Sequence, residues 1–476
     1  MQLSSIGMYG CDKKLNQNLK NILSMSIREV QNSLKSGKVS VCAIGIGRIG
    51  LPTALSFAYV GLPTIGVDIN AKLVNMINSG DFPLQDEPGL DKIFNAVIQN
   101  KNFQATTDIA EVVPKCDIIL LSLPTPMDKS NVPDYSILRT VGRNLNRLLR
   151  HGSLVVVEST VEPGFIENDL IPTIEDGERK LKVSKDFSVA ACPENANPGE
   201  ILNDFKKLPR LVGAIDEKTR TIVTEIYRYV FGVEIISMPD CKTANAAKLT
   251  SNVFRDINIA FVNELAILFE NLGIDIIKVL EACDKKYNFQ THYPGAGVGG
   301  PCLPINSYQI LNSSTGMGND VLKIIKAARE INDQMPFHVV DLLLDALNEA
   351  GKTIKGSTIA ILGISYKPNV KDIQLTPAEK IIKRLDKLQA KIRIYDPYFK
   401  SVEVFSHNTE SNLITAVTNA DATLLITGHN EFRGIDPSLL ASKMRTRIVI
   451  DSRGLIDPLA AKKAGLIFRG IGRGRV

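Results

Sequence analysis

Four of the six residues 295–300 are glycine, and the run Gly295-Ala-Gly297-Val-Gly299-Gly300-Pro301 ends on Cys302. A backbone without Cβ atoms at this density can approach a bulky anion such as a diphosphate very closely. The segment 306–309 that follows (Asn-Ser-Tyr-Gln) reads as a capping arrangement at a helix start. A thiol beside a helix N-terminus has its thiolate favoured, and the thiolate is the nucleophile.

A second glycine pattern, Gly45-Ile-Gly47-Arg-Ile49-Gly50, follows a short β-rich run from Val39 and precedes a helical stretch to about Tyr59. Gly45 permits the tight turn, Gly47 lets the backbone meet a pyrophosphate, and Gly50 lets helix pack on strand. The helix N-terminus, with Ile49 in the turn, offers free N–H groups to the phosphates. Asp68 closes the next strand, eighteen positions beyond Gly50. A carboxylate there accepts from a free ribose 2′-hydroxyl and repels a 2′-phosphate, which points to NAD rather than NADP. Lys72 is the nearby cation that opposes this preference.

Other polar groups stand just beyond strand-like runs. The run 118–123 leads to Pro124 and Thr125, 154–157 to Thr160, and 188–191 to Glu194. In a parallel sheet the ligand side lies beyond those strand ends. Lys248, Asn252 and Arg255 fall at i, i+4 and i+7 of the helical stretch 243–272, so one stripe is expected, with Leu249, Val253 and Phe254 facing the core.

These groups need elements to hold them. Strand and helix alternate over about 37–238, helical periodicity dominates 239–335, and alternation returns over 336–476, with strands at 358–362, 391–395, 422–427 and 447–450. The expected fold is α/β, with two Rossmann-like doubly wound domains joined by a helical middle domain. Apolar spacing over 12–36 predicts one added helix, so 1–36 reads as an N-terminal helical extension.

Composition narrows the partners. In 476 residues, 56 Lys and Arg face 51 Asp and Glu, and there is no Trp, so neither a nucleic-acid surface nor a base-stacking platform is expected. The C-terminal run 469–475 (Arg-Gly-Ile-Gly-Arg-Gly-Arg) is expected to be a solvated basic tail. The apolar stretches are too short for a membrane span, and no signal peptide is read at the N-terminus. Seven cysteines without C-x-x-C spacing argue against a disulfide framework or a metal site and for the cytoplasm. A long helix with an apolar stripe makes the middle region the expected homodimer interface.

Taken together, these motifs resemble the UDP-glucose/GDP-mannose dehydrogenase family over nearly the whole chain after residue 37. The stretch from Lys248 through Asn252, Arg255, Asp256 and Asn258 to Asn263-Glu264 looks like the branch that oxidises UDP-N-acetylmannosamine or UDP-N-acetylglucosamine. The Cys302 loop, Gly363-Ile-Ser-Tyr366-Lys367-Pro368, Tyr395-Asp396-Pro397 and Asp451-Ser-Arg453-Gly fit the same family. The resemblance implies a four-electron oxidation at the sugar C6 with two NAD in turn, through a thiohemiacetal and a thioester on Cys302. It also implies oxyanion stabilisation by Lys248 and Asn252, acid/base or water handling by Glu194, and a water- or cofactor-contacting Thr160. The glycine loop would receive the diphosphate, and Lys367 and Arg453 would reach the UDP; Arg255 is carried over as a substrate residue.

Four positions depart from the family pattern: Asn306 where Asp is usual, Pro301 where His is frequent, Asn195 for Arg, and Gln374 for Arg. Asn306 can orient water but cannot act as a base. Two other readings compete. A two-electron 3-hydroxyacid dehydrogenase would need neither Cys302 nor the second α/β domain. A catalytically weak nucleotide-sugar-binding protein would bind the sugar nucleotide without forming NADH.

Overall fold

The computed structural model describes residues 21–315 and 321–473. They form two compact units, one of the residues up to Ser251 with Tyr308–Ser313, the other of Asn252–Ser307 and the chain from Ser314 onward.

The first unit opens on a turn at Ile22–Ser24 and helix α1 (Ile27–Lys35). The single helix expected over 12–36 is therefore shorter within the described residues, and its first part, 12–20, lies outside them. Ser26 stops it: its side chain accepts from the Glu29 N–H while Glu29 reaches back to the Ser26 backbone, a reciprocal cap that starts a helix. Val30 and Leu34 then bury against the first core, beside Ile22 and Met25.

Eight strands follow: β1 (Val41–Ile44), β2 (Thr64–Val67), β3 (Phe103–Thr106), β4 (Ile118–Leu121), β5 (Ser153–Val157), β6 (Phe187–Ala191), β7 (Arg210–Ala214) and β8 (Ile235–Ser237). Their order is β3-β2-β1-β4-β5-β6-β7-β8, parallel throughout except the antiparallel β6/β7 pair. β1, β2, β4, β5 and β6 are buried along their length, which is why they read as unbroken apolar runs. β3 alternates, β7 opens on Arg210 and β8 has three residues, so the apolar pattern did not announce them. Strand order reverses between β1 and β4, the place where such sheets bind ligands. Helix α2 (Gly50–Tyr59) leaves β1 at that point.

Helix α3 (Cys241–Leu272) contains the division at Ser251. Beyond it come α4 (Leu303–Ser313) and α5 (Lys323–Glu349), and the domain boundary expected at 335/336 falls inside α5, at Pro336. The second unit then builds β9 (Thr358–Leu362), β10 (Lys391–Tyr395), a short antiparallel pair β11 (Glu403–Val404) and β12 (His407–Asn408), β13 (Ala422–Leu425), β14 (Ile448–Asp451) and β15 (Ile467–Gly470). The parallel sheet runs β10-β9-β13-β14-β15.

β15 corrects the expected solvated tail. Phe468 and Ile471 are buried, Arg469 pairs with Asp345 at 3.1 Å and with Glu349, and Arg473 lies 3.4 Å from Asp275. The tail's basic residues find carboxylates because its apolar ones pull it onto the sheet; residues 474–476 lie outside the described part.

The two sheets repeat one plan. Gly45 (φ +86) and Gly363 (φ +85) each turn the chain out of the first strand, donating N–H to Val67 O at 2.8 Å and Tyr395 O at 2.9 Å. Asp117, ahead of β4, accepts from Ser40 N–H at 2.9 Å, and Asp421, ahead of β13, from Thr358 N–H at 2.9 Å.

Candidate active site

At the switch point of the first sheet the three glycines have different reasons to be there. A Cβ on Gly50 would lie 1.8 Å from Gly45 O, and one on Gly45 would meet Ser122 O at 2.6 Å, so both are demanded by the fold itself. A Cβ on Gly47 would meet nothing within 4 Å, although it would fill the space above the turn. Folding does not require glycine there; a ligand in close approach to the backbone does. Ile49 is the N-cap of α2 and no side chain caps the helix; Leu51 N–H donates to Gly47 O at 3.1 Å and Pro52 has no N–H, so the turn's own amides up to Gly50 are what the helix start presents to an anion. Asp68 accepts from Ile46 N–H at 3.1 Å and from Asn70 N–H at 2.9 Å, which sets its carboxylate at the end of β2. This cradle fits the pyrophosphate and ribose of a dinucleotide. The pattern did not reveal Arg48 as a tie: it pairs with Asp86 and Glu87, both at 2.7 Å, and Glu87 accepts from Gly199 N–H at 2.7 Å.

Beyond β4 and β5 the expected residues meet. Thr160 O accepts from Thr125 Oγ1 and from Gln309 Nε2, each at 3.0 Å, while Pro124 is exposed beside Thr125. Glu194 is more constrained than its place after β6 suggested. Its Oε1 accepts from the N–H groups of Asn195 (2.6 Å) and Ala196 (2.8 Å), and its Oε2 lies 2.6 Å from Arg210 Nη1. Arg210 is buried, and its guanidinium lies over the Phe231 ring, 3.5 Å from the centroid. Nearby, Glu158 accepts from Ser122 Oγ at 2.6 Å and Tyr227 OH at 2.7 Å. Burial pushes the Glu158 carboxyl up from its ordinary value, against the pull of those donors and Arg210. Arg210 and Tyr227 arrive from distant sequence, and nothing in the local pattern marked either.

In the second unit, α4 begins at Leu303, not near Asn306 as expected. Asn306 N–H donates to Cys302 O at 2.9 Å, the first i→i−4 bond of the helix, so Cys302 itself is the residue at the helix entrance. Pro304 inside the first turn has no N–H to lose there, which lets the helix start early. Cys302 is exposed. Asn306 is buried and accepts from Asn252 Nδ2 at 2.5 Å.

The stripe expected of Lys248, Asn252 and Arg255 divides. Lys248 and Asn252 are buried, but the buried polar face of α3 continues at Asp256 and Asn263, while Arg255 is exposed. Phe254, expected in the core, is 48% exposed; Leu249 and Val253 are buried as expected. At about 100° per residue Lys248, Asn252, Asp256 and Asn263 fall within one arc of about 80°, and Arg255 lies about 20° outside its edge, so the interior face of α3 turns past it.

The glycine loop is close-packed on its own unit. A Cβ on Gly295 would fall 2.2 Å from Arg453 Nη1, and one on Gly299 would fall 2.6 Å from Leu375 O. Gly300 donates to Gln374 O at 2.9 Å and lies against the Tyr366 ring. Gly297 (φ +123) takes a conformation that L side chains rarely adopt. Lys367 is half-buried in the loop after β9. Burial lowers the Arg453 guanidinium pKa, with Asp451 opposing. Arg453 makes no ion pair among the described residues, so a cation that favours an anionic ligand borders Gly295. The open turn of the first unit fits a dinucleotide's pyrophosphate; within the second unit a thiol, an amide pair and a glycine loop bordered by Arg453 have the chemistry to meet an anionic ligand.

Sequence models of three domains match in order. The NAD binding domain of the UDP-glucose/GDP-mannose dehydrogenase family matches residues 39–231, its central domain 242–334 and its UDP binding domain 360–458. The chain belongs to the UDP-glucose/GDP-mannose dehydrogenase family. It is an NAD-dependent nucleotide-sugar dehydrogenase. The chain is 33% identical over 437 residues to the UDP-N-acetyl-D-mannosamine dehydrogenase of Pyrococcus horikoshii, covering 92% of this chain and 100% of that one. It is 31% identical over 429 residues to the NDP-N-acetyl-D-galactosaminuronic acid dehydrogenase of Ralstonia nicotianae, covering 87% and 96%. The solved structure of the Pyrococcus horikoshii UDP-D-ManNAc dehydrogenase superposes with a TM-score of 0.85 at 32% identity, over 92% of this chain and 100% of that one. Among the described residues no helix is long and apolar enough to cross a membrane.

Proposed function

We propose that this dehydrogenase oxidises the C6 alcohol of a UDP-N-acetylhexosamine, UDP-N-acetylmannosamine in the first place, to the uronic acid. The observation that carries the reading is the exposed Cys302 thiol at the entrance of α4, one turn before an Asn306 that is bonded to Asn252. The names of the relatives support the choice of sugar, with UDP-N-acetylglucosamine and UDP-glucose as the alternatives to test. The product would serve surface polysaccharide or glycan synthesis, in the cytoplasm, where unpatterned cysteines stay reduced.

Bound NAD supplies the hydride acceptor for two successive two-electron oxidations of one carbon. The turn Gly45–Gly50, Ile49, Asp68, Pro124 and Thr125 are assigned to hold it. Arg453, Lys367, Arg255 and the glycines at 295, 297, 299 and 300 are assigned to the UDP-sugar. After the first oxidation, Cys302 Sγ adds to the aldehyde carbon and the carbonyl oxygen takes a proton, giving a thiohemiacetal. Oxidation of that adduct leaves a thioester. Water adds, the C–S bond breaks, the thiol regains its proton, and the carboxylate departs. Lys248 and Asn252 stabilise the oxygen charge that develops in these steps. Thr160, Glu194 and Asn306 orient water, Glu194 from its ion pair with Arg210 and Asn306 from its bond to Asn252.

The deciding experiment measures absorbance at 340 nm with a limiting amount of each UDP-sugar. Two NADH per sugar, abolished in Cys302→Ala, support the reading. One NADH per sugar, or turnover that survives Cys302→Ala, rejects it. Binding of a UDP-sugar without NADH would favour a binding protein instead.

The assembly proposed is a homodimer through the helical middle. Phe254, Phe261, Leu268 and Leu272 repeat along one side of α3 at 48%, 48%, 50% and 60% exposure, an apolar stripe suited to a second copy. Light scattering should give twice the chain mass, and Phe261→Glu should return it to one.

A further inference from the structure

Helix α3 grips the nucleophile segment at three successive levels. Asn252 Nδ2 donates to Asn306 Oδ1, Asp256 Oδ2 accepts from Ser307 Oγ at 2.7 Å, and Asn263 Oδ1 accepts from Gly295 N–H at 2.9 Å. The last bond lies at the start of the glycine loop, and the first two lie in the turn after Cys302. A single polar chain joins the last two levels. Asp256 Oδ1 accepts from Arg329 Nη1 and Asn332 Nδ2, both at 2.8 Å, and Asn332 Oδ1 accepts from Asn263 Nδ2 at 2.9 Å. Asp256, Asn263, Ser307, Arg329 and Asn332 are all buried to 2% exposure or less. A polar network this dry holds its members in one arrangement, because any other leaves a group unsatisfied.

The geometry points to Asp256 as the positioning residue of the Cys302 thiol, acting through Ser307. An eleven-residue helix is marginal by itself and its first turn frays. The N-terminal amides favour a thiolate only while that turn is held. Asp256 holds it beside the Asn252–Asn306 bond, and it alone of the two also ties α4, one turn past Cys302, to α5 through Arg329 and Asn332. The hydroxyl at position 307 has no other role in this arrangement, and Asp256 keeps Arg329 and Asn332 when the hydroxyl is removed, so the tie can be cut without stranding a charge. The inference rests on Cys302 as the nucleophile.

The test compares Ser307→Ala and Ser307→Thr in the full chain. The rate at which iodoacetamide alkylates Cys302 in the nucleotide-free protein is read at one pH by mass spectrometry of the Cys302 peptide. Ser307→Ala should alkylate about tenfold more slowly, as expected for a thiol pKa about one unit higher. Its kcat should fall by a similar factor with KM for NAD unchanged. Ser307→Thr, which keeps the hydroxyl, should restore both. Alkylation of Ser307→Ala at the wild-type rate or faster would overturn the assignment, as would a Ser307→Thr as slow as Ser307→Ala, which would mark packing as the cause. Alkylation needs no turnover, so it still tests the positioning if Cys302→Ala is found to retain two NADH per sugar.

Discussion

Asn252 and Asn306 are joined by a 2.5 Å hydrogen bond between two buried neutral amides, Nδ2 donating to Oδ1. Neither side chain can take up or release a proton in the working pH range, so the contact orients groups without titrating. It links the helix that carries Lys248 to the turn that follows Cys302.

Replacing Asn306 by Leu removes the acceptor and strands the Asn252 donor in a buried place. The cost of such a stranded donor is about 1–3 kcal/mol. The variant should melt at lower temperature, and its kcat should fall more than tenfold while KM for NAD stays as in the wild type. Thermal melts and steady-state NADH formation check both halves.

Gly47 and Gly50 should separate folding from cofactor binding. Gly47→Ala places its methyl in open space, so the melting temperature should hold while NAD affinity drops tenfold or more by calorimetry. Gly50→Ala drives a methyl into Gly45 O and should destabilise the first unit as well. Equal loss of stability in both variants would refute the separation.

Arg210→Met is expected to damage stability before chemistry. The guanidinium is buried against Glu194, and removing one member of a buried ion pair costs about 3–5 kcal/mol because the other charge is left behind. Chemical denaturation should show the loss, and the double variant Arg210→Met with Glu194→Gln should recover part of it.

Acid should find the second unit's weak point at Asp421. Burial pushes this carboxyl up, but hydrogen bonds from Arg445, Lys352, Thr446 and the Thr358 N–H outweigh it and hold its pKa below the ordinary value. A carboxyl depressed in the folded state stabilises above its unfolded pKa of about 3.9, and that stability drains as pH falls through the folded value. Asp421→Asn should therefore melt well below the wild type at pH 7, with the gap closing steadily below about pH 4. A gap constant from pH 7 to pH 3 would exclude this origin.

Much of the molecule was legible in one dimension. The buried parallel strands β1, β2, β4, β5 and β6 are continuous apolar runs because both faces are covered, and the glycines of the two turns stand where backbones nearly touch. Buried strands and close-packed glycines carry their mark in residue type wherever the touching segment comes from, so the α/β architecture and the open glycine turn after β1 followed from residue types and spacing.

What the tertiary structure decided depends on contacts between distant segments. The start of α4 at Leu303 rather than near Asn306, the inward turn of Asp256 in place of Arg255, and the burial of the basic tail through β15 are set by packing, which overrides local pattern. Arg210 on Glu194 and Asp256 on Ser307 are pairings 16 and 51 residues apart in sequence. Spacing along a chain specifies which face a side chain takes on its own helix or strand; only the folded chain specifies which partner from elsewhere satisfies it.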